Sequence, residues 1–501
     1  MLQYIIPGLV FILAIAVHLY TFVHRSKYKH LPQPPLPFRW DWIKGHASLV
    51  IDQAKKNDFN TAKIFKLIGQ DLGAETFALF VGFHSNSYWI ISEEIDFISK
   101  IISDHRTFWK VGTKNNPLAF ANGVRVLGDH GILLEPGTDV WYHKRKMMDP
   151  AFLKKNLKSL MDKMNHSSNK LCQHLREKHD QKIVEVYDVF MKVALEVVCT
   201  CGFNLEDDFI TLTDSAVNNA VNDLFAGVMV AFFNRSTYWM PWKHKEEKKS
   251  LKSSADMLRE KMKKHLQERY EAVAAGTDSH NDILSHIIRG NQYSDQLTMD
   301  DLVDDFLVFL IAGMETTAIT MSIMIWFFLK HPEIARKAIH EVNEVFGEKE
   351  DLEFEDLGKL VYLEQCIKET LRIHPPVTIT SRKNHHRPET VNNVRIPTGT
   401  RLLIPLETIQ RSEKHWENPL EFNPDRFAPG THNKPFTFFP FAAGPRICIG
   451  KHFSIMEAKM VISKVLREFQ LVDPYPEDKE LEKIVVLTSR PKNGIFVKFI
   501  S

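Results

Sequence analysis

The segment FFPFAAGPRICIGKHF, residues 438–453, places one cysteine, Cys448, just before a helical pattern begins. A helix that starts here would aim free backbone N–H groups and the positive end of its dipole at the sulfur. Such a setting stabilises a thiolate, and a single thiolate in an apolar pocket fits an axial ligand of haem iron. The neighbours that would exclude water or allow a flat ligand to approach closely are Phe438, Phe439, Phe441, Gly444 and Gly450.

Two other interpretations of Cys448 stay open at this point. The thiol could be an inert buried side chain, or it could share a zinc ion with His452. Zinc normally recruits several ligands, and no Cys-x-x-Cys pair stands near. The chain has 5 cysteines, which is an odd number and not a disulfide framework, so we expect the catalytic part to lie in a reducing compartment.

The longest helical pattern begins at Thr298, which forms a capping-box spacing with Asp301, and it stops before Pro332. Residues 306–329 are apolar nearly all round. This predicts a buried core helix, although the length alone would also suit a membrane span. Glu315 interrupts the apolar run and is therefore a candidate for chemistry.

Composition limits the classes of function. With 501 residues and 34 Phe the chain can bury a large apolar interior and enclose a sizeable ligand. The 64 basic and 62 acidic residues give a net charge of +2, which offers no global argument for nucleic acid, and none is expected as a partner.

The N-terminus predicts attachment to a membrane. Residues 2–23 contain no Asp, Glu, Lys or Arg and would span roughly 33 Å as a helix, about the thickness of a bilayer core. A cleaved signal peptide is the alternative, but no basic n-region precedes the run. Arg25, Lys27 and Lys29 follow it, so the positive-inside rule places the rest of the chain on the cytosolic side. We expect an anchor at 1–23, a basic and proline-rich linker at 24–39 and one catalytic domain at 40–501.

Periodicity predicts a mainly α, α+β fold for that domain. Most of the chain has helical patterns, while strand-like runs lie near the start, in TFALFVGF and SYWIIS, and near the end, in NVRIPTGTRLLIPL and GIFVKFI. A small sheet region should therefore accompany a helical bulk.

FAAGPRICIG, residues 441–450, matches the Phe-x-x-Gly-x-Arg-x-Cys-x-Gly signature of cytochrome P-450 haem-thiolate monooxygenases. The chain resembles this family over nearly all of its length, because further motifs follow in the expected order. The resemblance implies the cytochrome P-450 fold and a haem b cofactor, iron protoporphyrin IX, with Cys448 as its axial ligand. The other signature residues that it assigns to cofactor binding are Phe441, Gly444, Arg446 and Gly450.

Two further motifs concern the charged edge of the haem. WYHKR is similar to the family's Trp-x-x-x-Arg, which implies that Trp141 and Arg145 hold a haem propionate, and PPVTITSR places Arg382 as another propionate partner. Carboxylates on a mostly buried ring are costly unless paired, and guanidinium groups suit them.

ETLR and FNPDRF resemble segments that form a buried structural network in the family, here Glu369, Arg372 and Arg426. In isolation, Glu369 and Arg372 would be an ordinary ion pair on a solvated helix face. The resemblance favours the buried network.

AGMETT, residues 312–317, is similar to the family's oxygen-activation segment. The resemblance implies that Glu315 and Thr316 deliver protons, and that Gly313 leaves room for oxygen. Taken alone, Thr316 would be expected only to bond its own helix backbone.

The segments WYHKRKMMDPAF and DLEFEDLGKLVYLEQCIKETLRIHPP look most like the cholesterol 24-hydroxylase branch. The resemblance implies insertion of one atom of O2 into a C–H bond of a lipophilic substrate, a sterol side chain, with electrons from NADPH through NADPH-cytochrome P-450 reductase. It also implies a single-pass protein of the endoplasmic reticulum membrane. A fatty-acid hydroxylase is the alternative, and a haem-thiolate isomerase or a non-catalytic haem sensor is the alternative of another class. Family position gives the candidate substrate residues Phe120, Val308, Ala312, Val377 and Leu487.

Two softer features concern surfaces. An aromatic and basic segment around Trp239 suits either a membrane interface or a buried core. Lys144, Lys146 and Lys451 flank motifs on the thiolate side, where an acidic redox partner would dock, or they are solvated lysines without a role.

Overall fold

The chain folds into long helices with short strands beside them. The computed structural model of the protein describes residues 22–23, 25–35, 46–57, 60–81, 88–110, 130–136, 139–211, 215–233, 242–292, 297–431, 434–477, 480–485 and 488–501. The predicted anchor lies outside the described residues except for positions 22 and 23, and so do Phe120, Leu487 and Trp239.

Helices predominate in the described part, which confirms the α-rich class. The α-helices, in chain order, are α1 Ala47–Lys56, α2 Thr61–Leu72, α3 Ile95–Ser103, α4 Asp139–Met148, α5 Lys154–Leu157, α6 Met161–His174, α7 Val186–Val197, α8 Ala216–Phe233, α9 Lys245–Ala274, α10 Ile283–Gln292, α11 Met299–Lys330, α12 Pro332–Phe346, α13 Val361–Ile373, α14 Leu406–Gln410 and α15 Lys451–Glu468. The strands are β1 Thr76–Phe80, β2 Tyr88–Ser92, β3 Phe108–Lys110, β4 Ile183–Glu185, β5 Thr380–Asn384, β6 Glu389–Val391, β7 Val394–Ile396, β8 Arg401–Ile404, β9 Gln470–Val472, β10 Lys483–Val485, β11 Ser489–Pro491 and β12 Phe496–Ile500.

The elements belong to two compact units. The first unit contains Met1–Val111, Val377–Pro419 and Lys434–Ile447, and the second contains Gly112–Pro376, Leu420–Asn433 and Cys448–Ser501. The first unit holds the largest sheet, and the second holds most of the long helices.

The sheet of the first unit has the strand order β1-β2-β8-β5-β3. Strands β2 and β8 are parallel, whereas the other neighbouring pairs are antiparallel. Side chains of α1 and α2 pack on one face around Phe77 and Ile91, and those of α3 pack on the other face around Ala78 and Ile90. Because both faces of the sheet are covered, successive positions along these strands are apolar, and not only alternate positions.

Residues 25–35 pack against this sheet. Tyr28 stacks on Tyr88 with the ring centroids 4.0 Å apart, and its hydroxyl shares a 2.7 Å hydrogen bond with that of Thr400. Leu31 is buried beside it, and His30 bonds the Arg395 carbonyl. This segment therefore has a fixed place on the first unit.

Helix α11 is the central element of the second unit. Thr298 and Asp301 form the predicted capping box, and the helix ends at Lys330, before Pro332. It packs against α7, α9, α13 and α15. Among the described residues it is the one helix long and apolar enough to cross a membrane, yet 78% of its most apolar window is buried inside the protein. The prediction of a buried core helix is confirmed.

The expectation that Lys144 is a solvated lysine is wrong. Its side chain is 0% exposed, and its Nζ donates to the Asp305 carboxylate at 2.9 Å and to the His130 carbonyl. Asp305 also accepts a hydrogen bond from the backbone N–H of Ile132. Lys144 therefore ties α4 to α11 and is not accessible to a docking partner, whereas Lys146 is exposed.

We predict that Lys144→Ala lowers the free energy of unfolding by about 3–5 kcal/mol, because Asp305 would be left as a buried carboxylate without its cation. Lys146→Ala, two positions along the same helix, should change it by less than about 0.5 kcal/mol. Urea unfolding of the full-length protein in detergent measures both. Equal losses for the two variants would contradict the assigned burial of Lys144.

Candidate active site

Cys448 lies in the second unit, just before the start of α15 at Lys451. Among the cysteines that the structure describes, Cys448 is the one that is exposed. Gly450 occupies the N-cap position without a side-chain cap, and the first turn of α15 contains no acidic residue. The free N–H groups and the positive dipole end of this helix therefore favour negative charge close to the thiol.

The turn before Cys448 belongs to the first unit, and its backbone requires glycine. Gly444 has φ +67, and a Cβ there would lie 2.7 Å from the carbonyl oxygen of Ile102 on α3. Phe439 is buried and its N–H donates to the Gln410 side chain at 3.0 Å, which fixes the start of the turn. Phe441 and Arg446 are half-buried.

Arg382 is a predicted propionate partner whose guanidinium is buried and only partly hydrogen-bonded. It lies on β5, is 1% exposed, and donates from Nη1 to the Ser381 carbonyl at 3.0 Å. Its Nε and Nη2 are buried without a hydrogen-bond partner in the described part of the chain. Burial lowers its pKa to about 10. A buried guanidinium in this state fits an anionic group that is not part of the chain.

Trp141 and Arg145 both lie on α4, in the second unit. Trp141 is buried, at 4% exposure, whereas Arg145 is partly exposed and pairs with Asp149 one turn further along the helix. The Asp149 carboxylate therefore already occupies part of the Arg145 fork, and a propionate would have to share or replace it.

Two features, each taken within its own unit, have chemistry that suits part of a haem group. Cys448 offers one accessible thiol at an uncapped helix start, and Arg382 offers a buried guanidinium without an acidic partner among the described residues. Within the same residues, no group of three or more His, Cys, Asp and Glu side chains is arranged to hold a metal ion. The described residues therefore offer no multi-ligand zinc site around His452.

Glu315 is buried on α11, at 3% exposure. Burial raises the pKa of its carboxyl to about 7, and this rise is opposed by a hydrogen bond from Thr488, the charge of Arg490 and the adjacent Tyr187 hydroxyl. Arg490 is half-buried on β11, which packs against α11. A carboxyl with this pKa can both release and take up a proton near neutral pH.

Thr316 follows Glu315 on α11, and its side chain bonds the backbone of its own helix. Its hydroxyl donates to the Ala312 carbonyl at 2.7 Å, which is the bond to its own helix backbone expected for an isolated threonine. The hydroxyl oxygen still has lone pairs that can accept a proton donor. At Gly313 an added Cβ would lie 3.0 Å from Val198 Cγ2, so close packing is one reason for glycine at this position.

Glu369 and Arg372 are buried on α13 and form a bidentate pair, with Nε and Nη2 at 2.7 and 2.8 Å from the carboxylate oxygens. Arg426 lies 3.3 Å from the same carboxylate. Glu369 also accepts from the Asn423 N–H, and Arg372 donates to the Glu421 carbonyl. The solvated pair expected from spacing alone is therefore wrong, and the three residues of the network lie together.

Three candidate substrate residues lie within the described chain. Val308 is buried, and an added Cβ on Gly131 would lie 2.6 Å from its Cγ2, so the 130–136 segment covers it. Ala312 is exposed, and Val377, in the first unit, is 38% exposed. Of the three, Ala312 and Val377 are open to a ligand.

Comparison with known families places the chain. The family described as Cytochrome P450 matches residues 95–499. The chain belongs to the cytochrome P450 family. This P450 is 27% identical to Cytochrome P450 4d8 of Drosophila melanogaster over 74% of its length and 84% of that protein. It is 29% identical to Cytochrome P450 4V2 of Homo sapiens, over 74% and 73% of the two chains. Identity to Cytokinin hydroxylase of Arabidopsis thaliana is 27%, over 76% and 75%.

Sequence reasoning missed the partners of Glu315 in this P450. Tyr187 lies in the first turn of α7 and Arg490 lies on β11, so neither is close to Glu315 along the chain. Burial and the charge of Glu315 raise the pKa of Tyr187 above its usual range. Nothing in their local sequence distinguishes the two residues, because only the packing of α7 and β11 on α11 brings them to the carboxyl.

We predict that Arg490→Gln moves the ionisation of Glu315 to higher pH, because the positive charge that favours the carboxylate is removed. Infrared titration of the full-length protein, with Glu315→Gln subtracted as the reference, follows the carboxyl band. Arg467→Gln is the matched control, since Arg467 bonds Asn343 and is not among the groups that act on Glu315. A downward shift, or an equal shift in both variants, would show that Arg490 does not set this pKa.

Proposed function

We propose that this P450 is a membrane-anchored monooxygenase that inserts one oxygen atom from O2 into a C–H bond of a lipophilic substrate. Its electrons would come from NADPH through NADPH-cytochrome P-450 reductase. The observation that carries the proposal is the exposed Cys448 thiol at the uncapped start of α15. Family membership supports the oxidoreductase class.

We assign Cys448 as the residue whose thiolate would bind the iron of haem b. Haem, when bound, supplies the activation of dioxygen. The buried Arg382 would pair with one of its propionates, and Trp141, Arg145 and Arg446 are the further propionate partners. Phe441, Gly444 and Gly450 would shape the chain around the ring, and Glu369, Arg372 and Arg426 would hold the region behind the thiolate.

Proton delivery is assigned to Glu315 and Thr316. A carboxyl with a pKa of about 7 can take up and release a proton at neutral pH, and Thr488, Arg490 and Tyr187 favour its ionised form against the effect of burial. The Thr316 hydroxyl donates to the Ala312 carbonyl, so its oxygen lone pairs are available to accept a hydrogen bond from a proton donor outside the helix. Because Glu315 is buried, protons would reach the site one at a time rather than with bulk water.

We propose a sterol side chain as the substrate, on the resemblance to the cholesterol 24-hydroxylase branch. The apolar surface of α11 is compatible with a large hydrophobic ligand. A fatty acid is the second candidate, because the same apolar lining would serve it. The two differ at the polar end, since a carboxylate would favour an Arg or Lys at the mouth of the cavity and a sterol hydroxyl would not.

Residues 1–23 are proposed as a single-pass anchor in the endoplasmic reticulum membrane, with residues 24–39 as linker and 40–501 as the catalytic part on the cytosolic face. The packing of Tyr28 and Leu31 would fix the linker that follows such an anchor on the sheet of the first unit. Lys146, exposed on α4, and Lys451, at the start of α15, are the lysines proposed for docking an acidic reductase.

We predict that cholesterol shifts the purified, haem-loaded protein from low to high spin, because a fitting substrate displaces water from the haem iron. Titration with cholesterol, other sterols and fatty acids, followed by product analysis with reductase and NADPH, gives the measurement. Tight and productive binding of fatty acids with no response to any sterol would reject the sterol proposal. Absence of NADPH-dependent product with every substrate would reject the monooxygenase proposal.

A further inference from the structure

Glu457 is a buried acid that the proposed mechanism does not use. It lies on α15, the helix that follows Cys448, and is 0% exposed. Both of its carboxyl oxygens are buried and make no hydrogen bond of standard geometry to any described residue. Thr317 lies on α11, which packs against α15, and is 3% exposed. Its hydroxyl is also buried and makes no hydrogen bond of standard geometry to any described residue.

The two side chains adjoin, and the Thr317 hydroxyl is the polar group that acts on the Glu457 carboxyl. No Lys, Arg or His of the described chain acts on it. The two buried lysines of the same helix bond elsewhere: Lys459 donates to the Leu357 carbonyl and pairs with Glu364, and Lys464 donates to the Glu350 carbonyl. Cys201 is the other titratable group that interacts with Glu457, and burial raises the pKa of its thiol to about 12, so this thiol is neutral.

An ionised carboxylate without a cation is far more costly to bury than a neutral acid. Burial raises the pKa of Glu457 well above its usual range, in agreement with this rule. A neutral carboxyl has an O–H donor as well as acceptor capacity, and a threonine oxygen can accept. A small rotation of either side chain would therefore satisfy both groups at once.

We propose that Glu457 is held as a neutral carboxylic acid whose O–H donates to Thr317 Oγ1, and that this contact positions the turn of α11 that carries Glu315 and Thr316. Successive residues of a helix point about 100° apart, so fixing Thr317 against α15 also fixes the direction of Thr316. The contact links that turn to the helix that follows Cys448. This inference deepens the proposed function and depends on it only for the role of Thr316.

Infrared spectroscopy of the full-length, haem-loaded protein tests the protonation state. We expect a C=O band of a protonated carboxyl that is unchanged between about pH 5 and pH 9, and that is absent from Glu457→Gln. It should shift in Thr317→Val, where the acceptor is lost. Ionisation of this band within that range, or no response to Thr317→Val, would overturn the proposal.

Thermal unfolding tests the contact independently of any activity. Glu457→Met and Thr317→Val each leave one buried polar group without a partner, whereas the double variant removes both. The midpoint loss of the double variant should therefore be smaller than the summed losses of the single variants. Ser322→Ala is the control on α11, because the Ser322 hydroxyl already bonds the Ala318 carbonyl, and its loss should add to that of Glu457→Met. Additive losses for Glu457 and Thr317 would contradict the contact.

Turnover with reductase and NADPH tests the positioning role. Glu457→Met and Thr317→Val should lower the fraction of NADPH that yields product by about tenfold, while Glu457→Gln, which keeps a neutral donor, should stay close to the parent protein. An unchanged fraction in both apolar variants would reject the positioning role. If the parent protein itself forms no product, the monooxygenase proposal fails, and the infrared and unfolding results still decide the Glu457 contact.

Discussion

The start of α15 sets the electrostatics on which the proposed site depends. Gly450 supplies no side-chain cap at this end and the first turn contains no acidic residue, so the N–H groups and dipole of the helix favour a negative charge at Cys448. The same helix is buried along most of its length, which fixes its axis inside the second unit. A thiol on a free loop would have neither the favourable field nor the fixed direction, and its thiolate would be less stable.

Three buried carboxyls of the second unit show how environment separates their roles. Glu369 faces two guanidinium groups, Glu315 lies near one, and Glu457 has no cation acting on it among the described residues. These settings suit, in turn, a fixed ion-pair network, a proton carrier near neutral pH and a neutral hydrogen-bond donor. Sequence motifs single out Glu315 and Glu369 but not Glu457, and no local pattern shows which of the three has a cation beside it. Their different settings arise from the elements that pack against them.

Local signals predicted the elements well. The capping box of Thr298 and the stop at Pro332 gave the limits of α11, and the glycine-rich turn gave the start of α15. Non-local packing explains what was missed. Lys144 reads as a solvated helix lysine until Asp305 is brought beside it, and Tyr187 and Arg490 become partners of Glu315 only when α7 and β11 pack on α11.

The spectrum of the reduced, carbon monoxide-bound protein tests the assignment of Cys448 most directly. The full-length protein should absorb at the position of thiolate-ligated haem, and Cys448→His should lose that band because the anionic sulfur is removed. Cys366→Ala is the control, since Cys366 is buried and burial raises the pKa of its thiol well above the usual range, so the band should remain. A Cys448→His protein that binds haem and keeps the thiolate band would contradict the account.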